Sequence, residues 1–321
     1  MEDNQRRSIG VRMAAAVISG IKGARGTLWF LLRIIIPITL AITLLDWLGV
    51  LAWIARLMSP VMSLVGLPGE AALVFISSLF LNIYSAIAVA LSMHLDMRSA
   101  TILAIMCLTA HNLIVETAVM KKTGSSGAKM VLLRIAAAFG AAFAFDLLLP
   151  ASLAALPLAS AGRAVRLAFP DMLAAWGFSS IKLALKIVLI VLAVMIAQRI
   201  LEEFKTMDLL SRLLAPVMKF FGLPREASYL WIVINVVGYA YGAGIIEEQV
   251  HLGHMKPKDA DLFNHHASLC HSLLEDTTLF LVIGVPFFWI TLPRLVLALL
   301  AVWLERARRH FFRRPFRVGT A

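Results

Sequence analysis

Eight apolar runs, separated by short polar intervals, set the pattern of the chain: Leu28 to Ala55, Ala71 to Met93, Ala100 to Met120, Met130 to Leu149, Ile181 to Ile200, Ala227 to Ile246, Leu262 to Ile283 and Phe287 to Leu304. About 20 apolar residues suffice to cross a bilayer as a helix, so the pattern predicts an all-α polytopic membrane protein. The stretch from Pro150 to Pro170, rich in Ala, Leu and Pro and carrying Arg163 and Arg166, breaks the pattern halfway. It divides the chain into a leader over 1–27, basic and amphipathic, a first repeat over 28–150, a linker over 151–175, a second repeat over 176–304 and a basic tail over 305–321.

The two halves are related in sequence. Arg56 to Ala71 aligns without gaps on Arg212 to Ala227 and is identical at ten of sixteen positions, including Gly66, Pro68 and Glu70 against Gly222, Pro224 and Glu226. Further along, Ala110-His111-Asn112-Leu113-Ile114-Val115-Glu116 falls on Cys270-His271-Ser272-Leu273-Leu274-Glu275-Asp276. Histidine meets histidine, and carboxylate meets carboxylate.

Two topologies follow from four segments per half. If all eight cross, the repeats are parallel; if the third segment of each half is a re-entrant helical hairpin, each half has three spans and the repeats are inverted. Lys and Arg concentrate on the cytoplasmic side of membrane proteins, and both basic termini are read as cytoplasmic. The hairpin model then places Arg98, Lys121, Lys122, Lys129, Arg199, Lys205, Arg212, Lys219 and Arg225 inside, against Arg56, Arg163, Arg166, Lys256 and Lys258 outside. Eight crossings reverse that balance, so the inverted arrangement is expected, with residue 123 inside and residue 254 outside.

Composition narrows the functional classes. The chain is 60% hydrophobic and 15% charged, against about 25% charged in soluble domains, which leaves no room for a separate water-soluble domain. Its net charge of +11 sits in tails and loops, as membrane orientation requires, so the partner it implies is the lipid bilayer and not nucleic acid. Cys107 and Cys270 both lie in apolar runs, so no disulfide framework exists.

Ionisable groups inside a membrane segment are costly and mark function by default. The third segments carry His111, Asn112 and Glu116 in one half and His265, His266, Cys270, His271, Glu275 and Asp276 in the other. His271 and Glu275, four apart, would share a helix face and pair. These groups, converging from the two halves, form the candidate substrate or proton site, together with Asn82 and Asn235 within otherwise apolar spans. His265, His266, Cys270 and His271 offer imidazole and thiolate ligands for a metal, although their spacing fits no zinc signature. His251 and His254, with Glu247 and Glu248, could gather cations at an entrance. The alternative for all of these is buried polar glue between helices. No Gly-x-Ser-x-Gly elbow, His-Glu-x-x-His helix or phosphate loop occurs, so an enzyme is not expected.

The paired Gly-Leu-Pro-x-Glu-Ala copies, each followed by a span and polar residues, resemble the Gate or nucleoside-recognition domain family. That family includes spore maturation proteins and shares its domain with concentrative nucleoside transporters and the pore of FeoB-type ferrous-iron transporters. The resemblance implies two inverted Gate repeats and a transport-like role, with His111, Glu116, His271 and Asp276 as hairpin residues. The expected function is an inner-membrane secondary transporter or permease for a small polar solute, nucleoside-like, in a bacterial cytoplasmic membrane. The alternatives are a divalent metal-ion transporter and a non-transporting scaffold of an envelope or sporulation-type complex. No cofactor is expected beyond a coupling proton or a divalent metal, and the protein partner would be a second copy or another membrane protein.

Overall fold

The computed structural model describes residues 8–312 except 94, 156–167, 205, 237, 240–244, 247–248, 251, 253 and 254. The middle of the expected linker with Arg163 and Arg166, the end of the tail, Tyr241, and the His251, His254, Glu247 and Glu248 group therefore lie outside the described residues. All regular structure among the described residues is helical, and three stretches, Met97–Lys122, Gly127–Leu148 and Phe287–Phe311, are long and apolar enough to cross a membrane. The first half comprises α1 (Ile9–Trp47), α2 (Val50–Met62), α3 (Ala71–Phe80), α4 (Ile83–Leu91), α5 (Met97–Ala110), α6 (Leu113–Lys122) and α7 (Gly127–Leu148). The second comprises α8 (Phe169–Glu203), α9 (Thr206–Phe220), α10 (Ala227–Val236), α11 (Pro257–Ala267), α12 (Glu275–Val282) and α13 (Phe287–Phe312).

Two expected boundaries move. The leader is not separate from the first span, because α1 runs unbroken from Ile9 and packs along α8. Arg12 donates to Glu203 at 2.8 Å at one end of that pair, and Trp47 meets Phe169 at the other, so α1 and α8 are antiparallel. The start of the tail is also helical: α13 continues through Glu305, Arg308 and Arg309.

The Gly-Leu-Pro copies are helix stops. Gly66 and Gly222 adopt left-handed φ values of 66 and 71°, and the next N–H turns back to the preceding helix, Leu67 to Met62 at 3.1 Å and Leu223 to Met218 at 2.8 Å. This is the usual geometry by which glycine ends a helix. A side chain at Gly66 would collide with the Asp146 carboxylate, which accepts from Arg98 at 2.8 Å; Gly222 sits against Val302, Trp303 and Arg306. Each motif thus turns a surface helix, α2 or α9, into the next element and pins it to the final helix of its own half.

The hairpin lies elsewhere than the sequence suggested. α3 and α4, joined only by Leu81 and Asn82, pack against each other, and at 1.5 Å per residue each spans about 15 Å, half a bilayer core. The Asn82 side chain starts α4 by accepting from the Ser85 N–H at 2.9 Å. α5 and α6, by contrast, run end to end along α7, barely touching each other, as one broken helix. The third segment of the first half is therefore a broken helix long enough to span, and the second is the folded-back pair.

Contacts between the halves fix their relative direction. Met97 at the start of α5 lies against Gly284 just after α12, and Phe145 near the end of α7 meets Trp289 near the start of α13. At the opposite end Thr123, after α6, accepts from Asn264 of α11 at 2.8 Å, and Lys129 of α7 pairs with Glu305 of α13 at 2.6 Å. The two broken helices are antiparallel. Residue 123 and the start of α11 accordingly share one end of the molecule, contrary to both topologies drawn from the sequence.

Candidate functional site

The site begins with the two helix breaks. Asn112 takes a left-handed φ of 46°, and 160 residues later Ser272 takes 50°, interrupting α5–α6 and α11–α12 at matching positions. Neighbouring helices hold both breaks: the Asn112 N–H donates to the Ser78 carbonyl at 2.8 Å, and the Ser272 N–H to that of Ile234 at 2.9 Å. A break frees the last carbonyls of the first helical piece, and those carry the negative end of its dipole. Fully buried arginines answer them. Arg134 donates through Nε to Thr109 at 3.0 Å and through Nη2 to His111 at 2.7 Å. Arg294 does the same at Leu269, 3.4 Å away, and at the His271 carbonyl.

Back to back between the breaks lie the imidazoles. Nδ1 of His111 is 3.1 Å from the Cys107 carbonyl and Nδ1 of His271 is 2.6 Å from that of Ala267. A carbonyl only accepts, so both Nδ1 atoms carry hydrogen and both Nε2 atoms point inward, 3.2 Å apart. Glu116 Oε1 stands 3.1 Å from Nε2 of His111 and 3.3 Å from that of His271, while its Oε2 faces Arg134 at 2.8 Å. Asp276 Oδ2 lies 3.4 Å from Nε2 of His111. All four side chains are buried, and Asp276 Oδ2 has no hydrogen-bond donor. The Tyr239 ring flanks His271 at 5.5 Å between centroids.

Some expected site residues stand elsewhere. Glu275 does not pair with His271, because the left-handed Ser272 destroys the i,i+4 register; it accepts instead from the Tyr84 hydroxyl of α4. Asn235 is a brace, donating to the Trp231 carbonyl at 2.8 Å and accepting from the Leu273 N–H at 3.3 Å. Asn112 supplies the break, and Asn82 caps α4.

The proposed metal group of His265, His266, Cys270 and His271 does not converge. Adjacent helix positions point about 100° apart: His265 faces Asp261 and Glu305, whereas His266 accepts from Trp231 Nε1 at 2.8 Å, edge-on to Phe221. Cys270 is buried in an apolar cluster. Arg134 and Arg294 are the residues the sequence reading missed, although the offset of 160 that superimposes His111 on His271 also superimposes them.

Residues 28–127 match the Gate family model, described as nucleoside recognition. Over 290 residues, covering 90% of this chain and 93% of the relative, the sequence is 31% identical to the uncharacterized membrane protein YvoD of Bacillus subtilis (strain 168). The chain belongs to the Gate family. It is therefore an all-α membrane protein, and the Gate match places in its first half the segment containing α2 to α6 with His111 and Glu116. No solved structure matches this Gate protein.

Proposed function

We propose that this Gate protein is a permease of the cytoplasmic membrane that moves a small, nucleoside-like polar solute by alternating access. One observation carries the reading: two antiparallel broken helices, one from each half, put their breaks back to back around buried His111, Glu116, His271 and Asp276. Broken helices at the junction of inverted halves form the central sites of many transporters. The quartet holds the coupling cation, and the solute lies beside it, where half-buried Asn82, Tyr84 and Glu275 offer an amide, a hydroxyl and a carboxylate. Nucleoside hydroxyls and base edges hydrogen-bond to such groups.

In the membrane, α1, α5–α6 and α7 cross in the first half and α8, α11–α12 and α13 in the second, while α3–α4 re-enters. Lys121, Lys122, Lys129, Lys219, Arg225, Lys256 and Lys258 share the end that holds Arg12 and Arg309, against Arg56 and Arg98 at the other among the described loops and surface helices. By the positive-inside rule the lysine-rich end and both termini are cytoplasmic. Uptake of labelled nucleosides into proteoliposomes tests the reading: uptake should fall at least tenfold in Glu116→Gln and Tyr84→Phe. Equal uptake by protein-free liposomes would remove it.

A further inference from the structure

We infer that His111, His271, Glu116 and Asp276 bind one divalent transition-metal ion in tetrahedral geometry, clasping the two halves together. The inference deepens the cation role proposed for this quartet, and its test does not depend on transport.

The tautomers come first. Both imidazoles donate Nδ1–H to a backbone carbonyl, at 3.1 and 2.6 Å, which is the orientation outer-shell carbonyls impose on metal-bound histidines. With Nδ1 protonated, neutral rings turn two Nε2 lone pairs on each other across 3.2 Å. Facing lone pairs repel unless a cation lies between them.

The distances come second. A tetrahedral ion with bonds of about 2.0–2.1 Å to imidazole nitrogen and carboxylate oxygen separates its ligand atoms by about 3.3 Å. Here Nε2 to Nε2 is 3.2 Å, Glu116 Oε1 to the two nitrogens is 3.1 and 3.3 Å, and Asp276 Oδ2 to His111 Nε2 is 3.4 Å. Asp276 reaches His111 at ion-pair distance, but its separation from the His271 nitrogen is wider, within 4.8 Å, so its carboxylate must turn toward His271 to close the tetrahedron.

Third, the ligands are kept free for the task. Arg134 occupies Oε2 of Glu116 and leaves Oε1 turned to the imidazoles. Asp276, more than nine-tenths buried, has an Oδ2 atom without a donor. Two imidazoles and two carboxylates suit zinc or cobalt(II) better than calcium or magnesium, which prefer all-oxygen shells.

The test is cobalt(II) titration of purified, chelator-stripped protein in detergent. One equivalent should produce the intense visible absorption of tetrahedral cobalt, and zinc should abolish it. His271→Ala and Asp276→Asn should each weaken cobalt binding at least tenfold, while His266→Gln should bind like wild type. If His271→Ala does not fold, His271→Cys retains a ligand and should add a thiolate-to-cobalt charge-transfer band. Absence of the tetrahedral spectrum, or a spectrum unchanged in folded His271→Ala and without the thiolate band in His271→Cys, overturns the inference and leaves a proton as the shared cation. Nucleoside uptake without metal binding would overturn this inference alone, and metal binding without uptake would overturn only the proposed solute.

Discussion

Arg134 and Arg294 show how little a residue's meaning can depend on its own segment. Each is fully buried, and each answers carbonyls that a helix break has left without partners. Removing one partner from a buried charged network costs about 3–5 kcal/mol, since the other is left buried and unpaired. Arg134→Met should destabilise the protein by that order, read as a lowered melting temperature in detergent, and Arg134→Met/Glu116→Gln should recover part of the loss. Gly66 gives a second residue-scale test. Alanine there would take a left-handed conformation costing about 1–2 kcal/mol and would also displace Asp146; at Gly124, φ 98° with open space around it, the backbone cost stands alone. Gly66→Ala should therefore melt lower than Gly124→Ala. The Gly66 and Gly222 motif was legible in the sequence as a repeat, but its role as a helix stop against Asp146 and Arg306 was not, since those residues lie about 80 positions away.

At the scale of elements, the hairpin and the broken helix exchanged places. Ala71 to Met93 and Ala100 to Met120 both read as single apolar spans, and the polar residues drew the expected fold-back to the second of these. Local chemistry decided otherwise: Asn82 restarts a helix as its cap, so α3 folds onto α4, while Asn112 only kinks a helix that goes on along α7. The matching junctions at the two ends of the molecule are also unlike. At one end Asp261 accepts from Ser125 at 2.6 Å and from Arg309, and Glu305 pairs with Lys129 at 2.6 Å and Arg309 at 2.7 Å. Of the positions 160 residues away, Phe145, Leu149, Val285 and Trp289 pack in the apolar core, and Thr101 is a buried hydroxyl that donates only to its own helix, at the Met97 carbonyl. One end is joined by buried charge, the other by contact. Asp261→Ala, which removes the acceptor of the Ser125 hydroxyl and one of the two carboxylates that hold Arg309, leaving Glu305 as the other, should cost about 1–3 kcal/mol, more than Thr101→Ala; chemical-denaturant melts of the two variants test the difference.

For the whole molecule, the antiparallel halves make a topological prediction that separates this structure from either sequence-drawn arrangement. With Cys107 and Cys270, both buried, replaced by serine, single cysteines at the exposed positions 122 and 256 should react with an impermeant maleimide from the same side of the membrane, and one at position 98 from the opposite side. Labelling of 122 and 256 from opposite sides would restore a hairpin in the third segment. The sequence by itself determined the class, an all-α membrane protein of the Gate family in two related halves, because apolar run length and repeated identity are properties of the chain read in order. It also nominated His111, Glu116, His271 and Asp276, since a buried ionisable group is conspicuous wherever it sits. Only the tertiary structure decided which segment folds back, that Glu275 leaves His271 for Tyr84, and that the four groups meet within 3.1–3.4 Å along the contacts measured. The reason is geometric: a single left-handed residue at Asn112 or Ser272 redirects every side chain beyond it, and helical spacing carries no information across such a break.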